Sequence, residues 1–205
     1  KIGLLYSGNF GRAHDYHRFL ELARMLRSES IHFCFAARGN KVDELRAAVT
    51  PEDVNVSFAG FASEAELEKR LGACDLHLVS LRESWTGAVV PSKFFGAIAA
   101  GRGVLFAGAA HSAIAKWIDE YSLGWVLSGD NTADIAQKLR DFVRDPAQLE
   151  QLKQRCHTVY QQHFSKSVQL DRWANMLAEL TGAEAPNAEG ADPLEKRPGL
   201  QAAKL

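Results

Sequence analysis

Apolar residues along this chain fall into short continuous runs, separated by longer stretches in which they recur every three or four positions. Residues 2–6 form the first run, and Phe19, Leu20, Leu22, Ala23 and Leu26 follow at helical spacing. The order implied is strand, glycine loop (Ser7, Gly8, Asn9, Phe10, Gly11, Arg12), helix. Residues 31–37 predict a second strand closed by Arg38, Gly39 and Asn40, and Val42, Leu45, Ala48 and Val49 give one face of a helix stopped by Pro51. Residues 54–58 predict a third strand. Ser63 with Glu66 three residues on has the form of a capping box for a helix through Leu71. Further strands are predicted over 76–80, 104–106 and 124–127, with helices from Ser92 to the stop at Gly101 and over 111–121. Beyond Asn131, an expected cap, three helical stretches follow without strands between them: 132–145, 146–163 and 165–180.

Strands and helices alternating at this rhythm predict a Rossmann-like α/β fold, a parallel β-sheet with helices on both faces. Ligands of such sheets sit at the carboxyl ends of the strands, near the point where strand order reverses. Each glycine-containing loop falls at such an end. Gly8 to Gly11, Arg38 with Gly39, Gly60 with Phe61, and Gly87 with Lys93 are therefore expected to line one crevice.

The most informative stretch runs from Val79 to Gly101. A strand ends, a polar loop containing Gly87 follows, and Pro91, Ser92 and Lys93 open a helix of small residues. A helix entered this way directs unpaired N–H groups and partial positive charge above the strand ends, and Lys93 adds a full charge there. An anion, above all a phosphate, fits that place. Lys93 opposes the helix dipole unless an anion is present, whereas Ser92 reads equally well as a cap.

Composition narrows the partners. The chain has 205 residues, enough for one well-buried domain, and 46% hydrophobic against 24% charged residues excludes disorder throughout. Lys and Arg number 24 against 25 Asp and Glu, so no net field would hold nucleic acid, and an anion must be bound locally. The three cysteines, Cys34, Cys74 and Cys156, are widely spaced and odd in number, which argues against a disulfide framework and a zinc site. No run is long enough to span a bilayer and no signal peptide is visible, so the expected setting is cytoplasmic. The first residue is not Met, and the chain reads as a piece of a longer protein. Residues 1–181 are expected to form the domain, and 182–205, which lack periodicity, a disordered tail.

The remaining candidates each have a plain alternative. Gly8, Asn9, Phe10 and Gly11 lack both the dinucleotide spacing and the P-loop ending, so they either turn the chain or let backbone approach a sugar or phosphate. Arg12 is solvated or a second phosphate ligand. His14 and His17, three apart, could share a helix face, but no third metal ligand lies near. Trp85 packs the loop or stacks on a ligand, with packing the default. Glu83 is the one carboxylate of its loop and either bonds a ribose hydroxyl or is solvated.

Four passages together resemble the carboxyl-terminal, donor-binding domain of GT-B glycosyltransferases, in particular the family-four group of retaining enzymes. They are Leu5 through Arg12; Phe35 through Gly39; Val56 through Phe61 followed by Ala73 through Leu76; and Val90, Pro91, Ser92, Lys93 running to Ala99, Ala100, Gly101. The resemblance covers residues 1–180. It implies a nucleotide-sugar donor held mainly by this domain. Gly8, Asn9, Phe10 and Gly11 would approach the pyrophosphate and sugar, and Arg12 and Lys93 would neutralise phosphate. Arg38 and Phe61 would receive the base. The backbone from Gly87 through Val90 and Pro91 to Ser92 would face the sugar. No metal or other cofactor is expected, because fixed cations and helix termini stabilise the leaving diphosphate. The acceptor half would precede Lys1, so this piece would bind donor without full catalysis. Any membrane contact would be peripheral and made through that half, and Trp173, Met176 and Leu177 of the last helix would be partly exposed.

Two departures stand out. The family's ribose-holding glutamate falls here at Gly96 and its partner at Ala88, leaving Glu83 as a conjectural substitute, and the usual Gly-x-Pro is Gly101, Arg102, Gly103. Two other readings stay open. A sugar-nucleotide epimerase would need acid and base side chains in the crevice, where few carboxylates lie. A non-catalytic receiver-like domain would place carboxylates after the first strand, where Ser7, Gly8 and Asn9 stand instead.

Overall fold

Six parallel strands make up one sheet in the computed structural model of the chain, which describes residues 1–60 and 63–182. They are β1 (Ile2–Asn9), β2 (Ile31–Arg38), β3 (Val56–Phe58), β4 (Leu76–Ser80), β5 (Gly103–Ala107) and β6 (Gly124–Leu127), in the order β3-β2-β1-β4-β5-β6. Strand order reverses between β1 and β4. The β1–β2 ladder runs the full length from Ile2 opposite Ile31 to Asn9 opposite Arg38, whereas β1 and β4 pair only at Leu4 with Leu76 and Leu5 with His77. Past those two pairs the strands share no ladder, and the gap opens toward their carboxyl ends.

Helices cover both faces, as the alternation requires. In α1 (His17–Met25), Phe19, Leu20, Leu22 and Ala23 are buried, and Leu26 just beyond it is buried too. α2 (Val42–Ala48) buries Val42 and Leu45. α6 (Thr132–Arg144) packs against α1, and its Arg140 bonds Glu29 at 2.9 Å. α3 (Leu67–Gly72) buries no residue. α5 (Ala113–Tyr121) starts at Ser112, whose hydroxyl accepts from Ala115 N–H at 3.3 Å.

α4 (Lys93–Ala99) has only seven residues, too few to be stable alone. Aromatic packing holds it. Phe94 and Phe95 meet Trp117 of α5 at ring separations of 5.7 and 5.8 Å, and both meet Phe164 at 5.9 and 5.8 Å. Such pairs contribute about 0.5–1.5 kcal/mol each beyond burial. Phe164 ends a single π-helical turn (Tyr160–Phe164) that follows α7 (Pro146–Val159). Because Phe94 is fully buried, Lys93 beside it starts from a fixed backbone.

Several local expectations change. β1 continues three residues past Tyr6, so part of the predicted loop is strand. β3 begins at Val56, and Val54 is 71% exposed. The Ser63 and Glu66 pair opens a 3₁₀ turn with half of a capping box: Ser63 N–H donates to the Glu66 carboxylate at 3.4 Å, but the Ser63 hydroxyl donates to that carboxylate at 3.0 Å instead of accepting from the Glu66 N–H. Asn131 stands at the start of α6 but turns backward, accepting from Ser128 N–H and donating to the Val126 carbonyl, both at 2.9 Å. Ser92 makes no capping bond.

Residues 1–164 form one compact unit. The second unit begins at Ser165 and is described here only through α8 (Lys166–Thr181), on which Trp173, Met176 and Leu177 are exposed. Among the described residues no helix is long and apolar enough to cross a membrane. Apart from Gly182, the tail expected over 182–205 lies outside the described residues.

One buried charge ties the segment entering β3 to α1. Asp53 has a fully enclosed side chain that accepts from Arg24 Nε and a terminal Arg24 nitrogen at 3.0 Å each, from Arg27 at 3.3 Å and from Thr50 N–H at 3.0 Å. These bonds hold its carboxyl well below the ordinary range. Both arginines are about two-fifths exposed, which weakens the pairs below the value of fully buried ones. Asp53→Ala is expected to cost about 2 kcal/mol and lower the thermal midpoint by about 4–8 °C. Since the folded-state pKa is depressed, that stabilisation is complete above the ordinary carboxylate range. It should fade as the pH falls below that range, which acid unfolding of the two proteins would show as converging curves.

Candidate functional site

The loops after β1 and β4 meet over the point where strand order reverses. Gly8 has φ of +131°, a conformation L side chains rarely adopt, and a Cβ there would stand 2.8 Å from Lys93 Cε and 3.5 Å from its Nζ. The lysine thus lies directly on glycine backbone from across the gap. Its ammonium sits 5.2 Å from the centre of the Tyr6 ring and 3.4 Å from His14 Nε2. Among the described residues no carboxylate pairs with it, and burial lowers its pKa.

His14 belongs to the loop between β1 and α1. Gly11 N–H donates to its Nδ1 at 3.1 Å, which assigns the proton of the neutral ring to Nε2. Burial first and the charge of Lys93 second push its pKa down to about 4. The ring lies edge-on to Tyr6 at 6.0 Å and tilted over Phe10 at 5.5 Å.

Hydrogen bonds hold this loop against the end of β4. Arg82 N–H donates to the Ala13 carbonyl at 2.8 Å, Arg82 Nε to the His14 carbonyl at 3.0 Å, and Asp15 N–H to Ser80 Oγ at 3.2 Å. On the other side Phe10 N–H donates to the Arg38 carbonyl at 2.6 Å, and Tyr6 OH to the Asn9 carbonyl at 2.7 Å. Gly39, with φ of +123°, has no room for a Cβ, which would fall 2.5 Å from Asn9 Oδ1 and 2.6 Å from the Phe10 carbonyl.

Of the residues expected to bind a ligand, Gly8 and Lys93 converge, with Asn9 ending β1 and Gly11 in the loop beyond. Arg12 is exposed beyond them, and Arg38 ends β2 opposite Asn9. Phe10 needs correction: its side chain is 1% exposed and packs on Tyr6 at 5.0 Å, so it belongs to the core. Its N–H and carbonyl are also engaged, by Arg38 and Lys41. Gly87, Val90 and Pro91 line a hollow of about 370 Å³ in which Thr86 Oγ1 is buried without a partner. Glu83 lies in a different hollow, of about 240 Å³, with Asp15, Arg18 and Arg82. Ser92 is exposed, and Phe61 lies outside the described residues.

Trp85 is 38% exposed, against the expectation that it packs its loop. His14 and His17 do not share a helix face, because α1 begins at His17, whose ring bonds Asp15 at 2.7 Å. A Cβ at Gly96 would face Leu71 of α3 at 3.5 Å. Sequence reasoning missed His14 as a partner of Lys93 and Asp15 as a strut. Position three residues after Gly11 was the available signal for His14.

A second hollow, of about 480 Å³, opens beside β1 and β2 and is floored by Leu5, Cys34, Ala36 and Cys74. Its one carboxylate is already matched: Asp75 accepts from Gly3 N–H at 2.8 Å and pairs with Lys153 at 2.9 Å. Burial pushes the Cys74 thiol up to about 12, so that thiol stays protonated. The unmatched cation at the strand-order reversal therefore marks the better site.

A parallel six-stranded sheet with its loops gathered over that reversal defines a Rossmann-like α/β domain of the kind found in GT-B glycosyltransferases. The chain belongs to the family described as glycosyl transferases group 1, whose profile matches residues 1–158. It is 27% identical over 176 residues to the probable glycosyltransferase WbjE of Pseudomonas aeruginosa, covering 85% of this chain and 44% of that protein. The chain thus spans less than half the length of that relative. The C-terminal domain of LpcC, a glycosyl transferase group 1 protein from Francisella tularensis, superposes with a TM-score of 0.62 at 17% identity, over 81% of this chain and 87% of that one. TarM from S. aureus, in a structure that contains UDP, gives 0.66 at 15% identity over 84% of this chain and 35% of that one.

Removing the lysine charge should release the histidine. In NMR titrations His14 is expected to stay neutral down to a midpoint near pH 4. In Lys93→Ala the midpoint should rise, because one cause of the depression is gone, while burial keeps it below the ordinary value of 6.5. An unchanged midpoint in the variant would mean that the two groups do not interact.

Proposed function

We propose that this chain is the donor-binding domain of a nucleotide-sugar-dependent glycosyltransferase. The observation that carries the reading is the half-buried Lys93 ammonium lying against Gly8 and His14 with no matching carboxylate among the described residues. A diphosphate is the ligand whose charge and oxygens suit that place. A unit charge about 4 Å from a phosphate is worth about 1 kcal/mol in water and about 4 kcal/mol at an effective dielectric of 20, so partial burial makes the contact worthwhile.

As the bond from sugar to diphosphate breaks, negative charge grows on the leaving oxygens, and donors fixed in advance stabilise that charge more than the ground state. Lys93, held over the bare backbone of Gly8, supplies such a donor without a metal. The reading includes hexosyl transfer to a glycan or lipid-linked acceptor with retention of configuration, and an acceptor domain elsewhere in the same protein. It also takes residues 1–181 as the donor domain, which alone binds donor with little turnover. Gly87 through Pro91 face the sugar. With glycine at position 96, Glu83 is the carboxylate assigned to the ribose.

Calorimetric titration with UDP, GDP, ADP and CMP tests this directly. One diphosphate is expected to bind, Lys93→Ala to weaken it at least several-fold, and EDTA to leave it unchanged. Absence of binding by all four at millimolar concentration would remove the reading's main support.

A further inference from the structure

We propose that His14 is a phosphate-binding residue, its Nε2–H and the Lys93 ammonium gripping the same oxygen of the donor's diphosphate; this rests on the donor-binding reading. The argument is one of donors and acceptors. Gly11 N–H points at Nδ1, so Nδ1 accepts and the neutral ring carries its proton on Nε2. Nε2 lies 3.4 Å from Lys93 Nζ, which is itself a donor. Two donors so placed cannot bond each other. A single anionic oxygen about 2.8 Å from each would satisfy both, within the range of charge-assisted bonds.

The surroundings keep the ring in this state. Lys93 faces it from α4, the Tyr6 and Phe10 rings enclose it from β1 and the loop beyond, and Arg82 holds its carbonyl from the end of β4. The cation next to it and its burial both disfavour a second proton. His14 therefore offers a neutral donor, oriented before any ligand arrives, beside one full charge. That combination binds a phosphate oxygen without adding a second buried cation that would have to be desolvated.

The test uses the 205-residue chain and whichever of UDP, GDP and ADP it binds most tightly. His14→Ala is expected to weaken binding by about 10- to 150-fold, the range for a hydrogen bond to a charged group. His14→Gln, whose amide also offers a neutral N–H, should recover most of that loss. In ¹⁵N-resolved NMR of the unsubstituted chain, His14 Nε2 should be protonated at neutral pH and its signal should shift on addition of the nucleotide. A purely structural role would not be restored by a neutral N–H alone, so recovery in His14→Gln marks a lost donor, and thermal unfolding of each variant separates misfolding from lost contact. If His14→Ala does not fold, the affinity of His14→Gln against His14→Phe decides. Unchanged affinity in His14→Ala with a weakened Lys93→Ala would overturn the role of His14 and leave the donor reading standing. No binding of any diphosphate to the unsubstituted chain would overturn both.

Discussion

A half-buried ammonium with no matching carboxylate among the described residues, resting on bare glycine backbone, is the constraint on which the rest of this structure turns. Lys93 can hold that position only because Gly8 has no side chain and because β1 and β4 stop pairing after Leu5 and His77. The reversal of strand order creates the gap, and the two loops that flank it supply its contents. Burial of a lysine without a partner is costly, as its lowered pKa records. In a folded domain such a cost is tolerable where a ligand of opposite charge offsets it.

Support for that arrangement comes from apolar packing some distance away. α4 is short and contributes little helix stability of its own, yet Phe94 and Phe95 lock it to Trp117 and Phe164. On the facing side, Phe10 is driven into the core beside Tyr6, and this anchors the loop that presents Gly8, Gly11 and His14. Aromatic rings thus hold both halves of the crevice, and polar bonds from Arg82 and Asp15 fix their separation. Stiffness of this kind is what preorganised electrostatic binding needs.

Much of this was legible in the sequence, and the failures have physical causes. The α1 face of Phe19, Leu20, Leu22, Ala23 and Leu26 could be read from helical spacing because all five face one core. All six strands and the convergence of the loop after β1 with Lys93 followed from alternation and glycine placement. Phe10 was misjudged because position within a glycine loop says nothing of which way an aromatic side chain turns. Asn131 holds the cap position of α6 as its sequence place implies, but its amide turns to Ser128 N–H and the Val126 carbonyl instead of the helix N–H groups, because an amide has donors as well as an acceptor. His14 was judged by its spacing to His17, which matters only if both lie on one helix; the helix starts later, and the relevant neighbour was 79 residues away. Contacts across a strand-order reversal have no sequence period to reveal them.

Backbone amide shift mapping with the tightest-binding nucleoside diphosphate tests the central claim most directly. The largest changes are predicted at residues 8–14 and 86–93, the two loops that meet over the reversal. Changes centred instead on Leu5, Cys34, Ala36 and Cys74, around the apolar hollow beside β1 and β2, would contradict it.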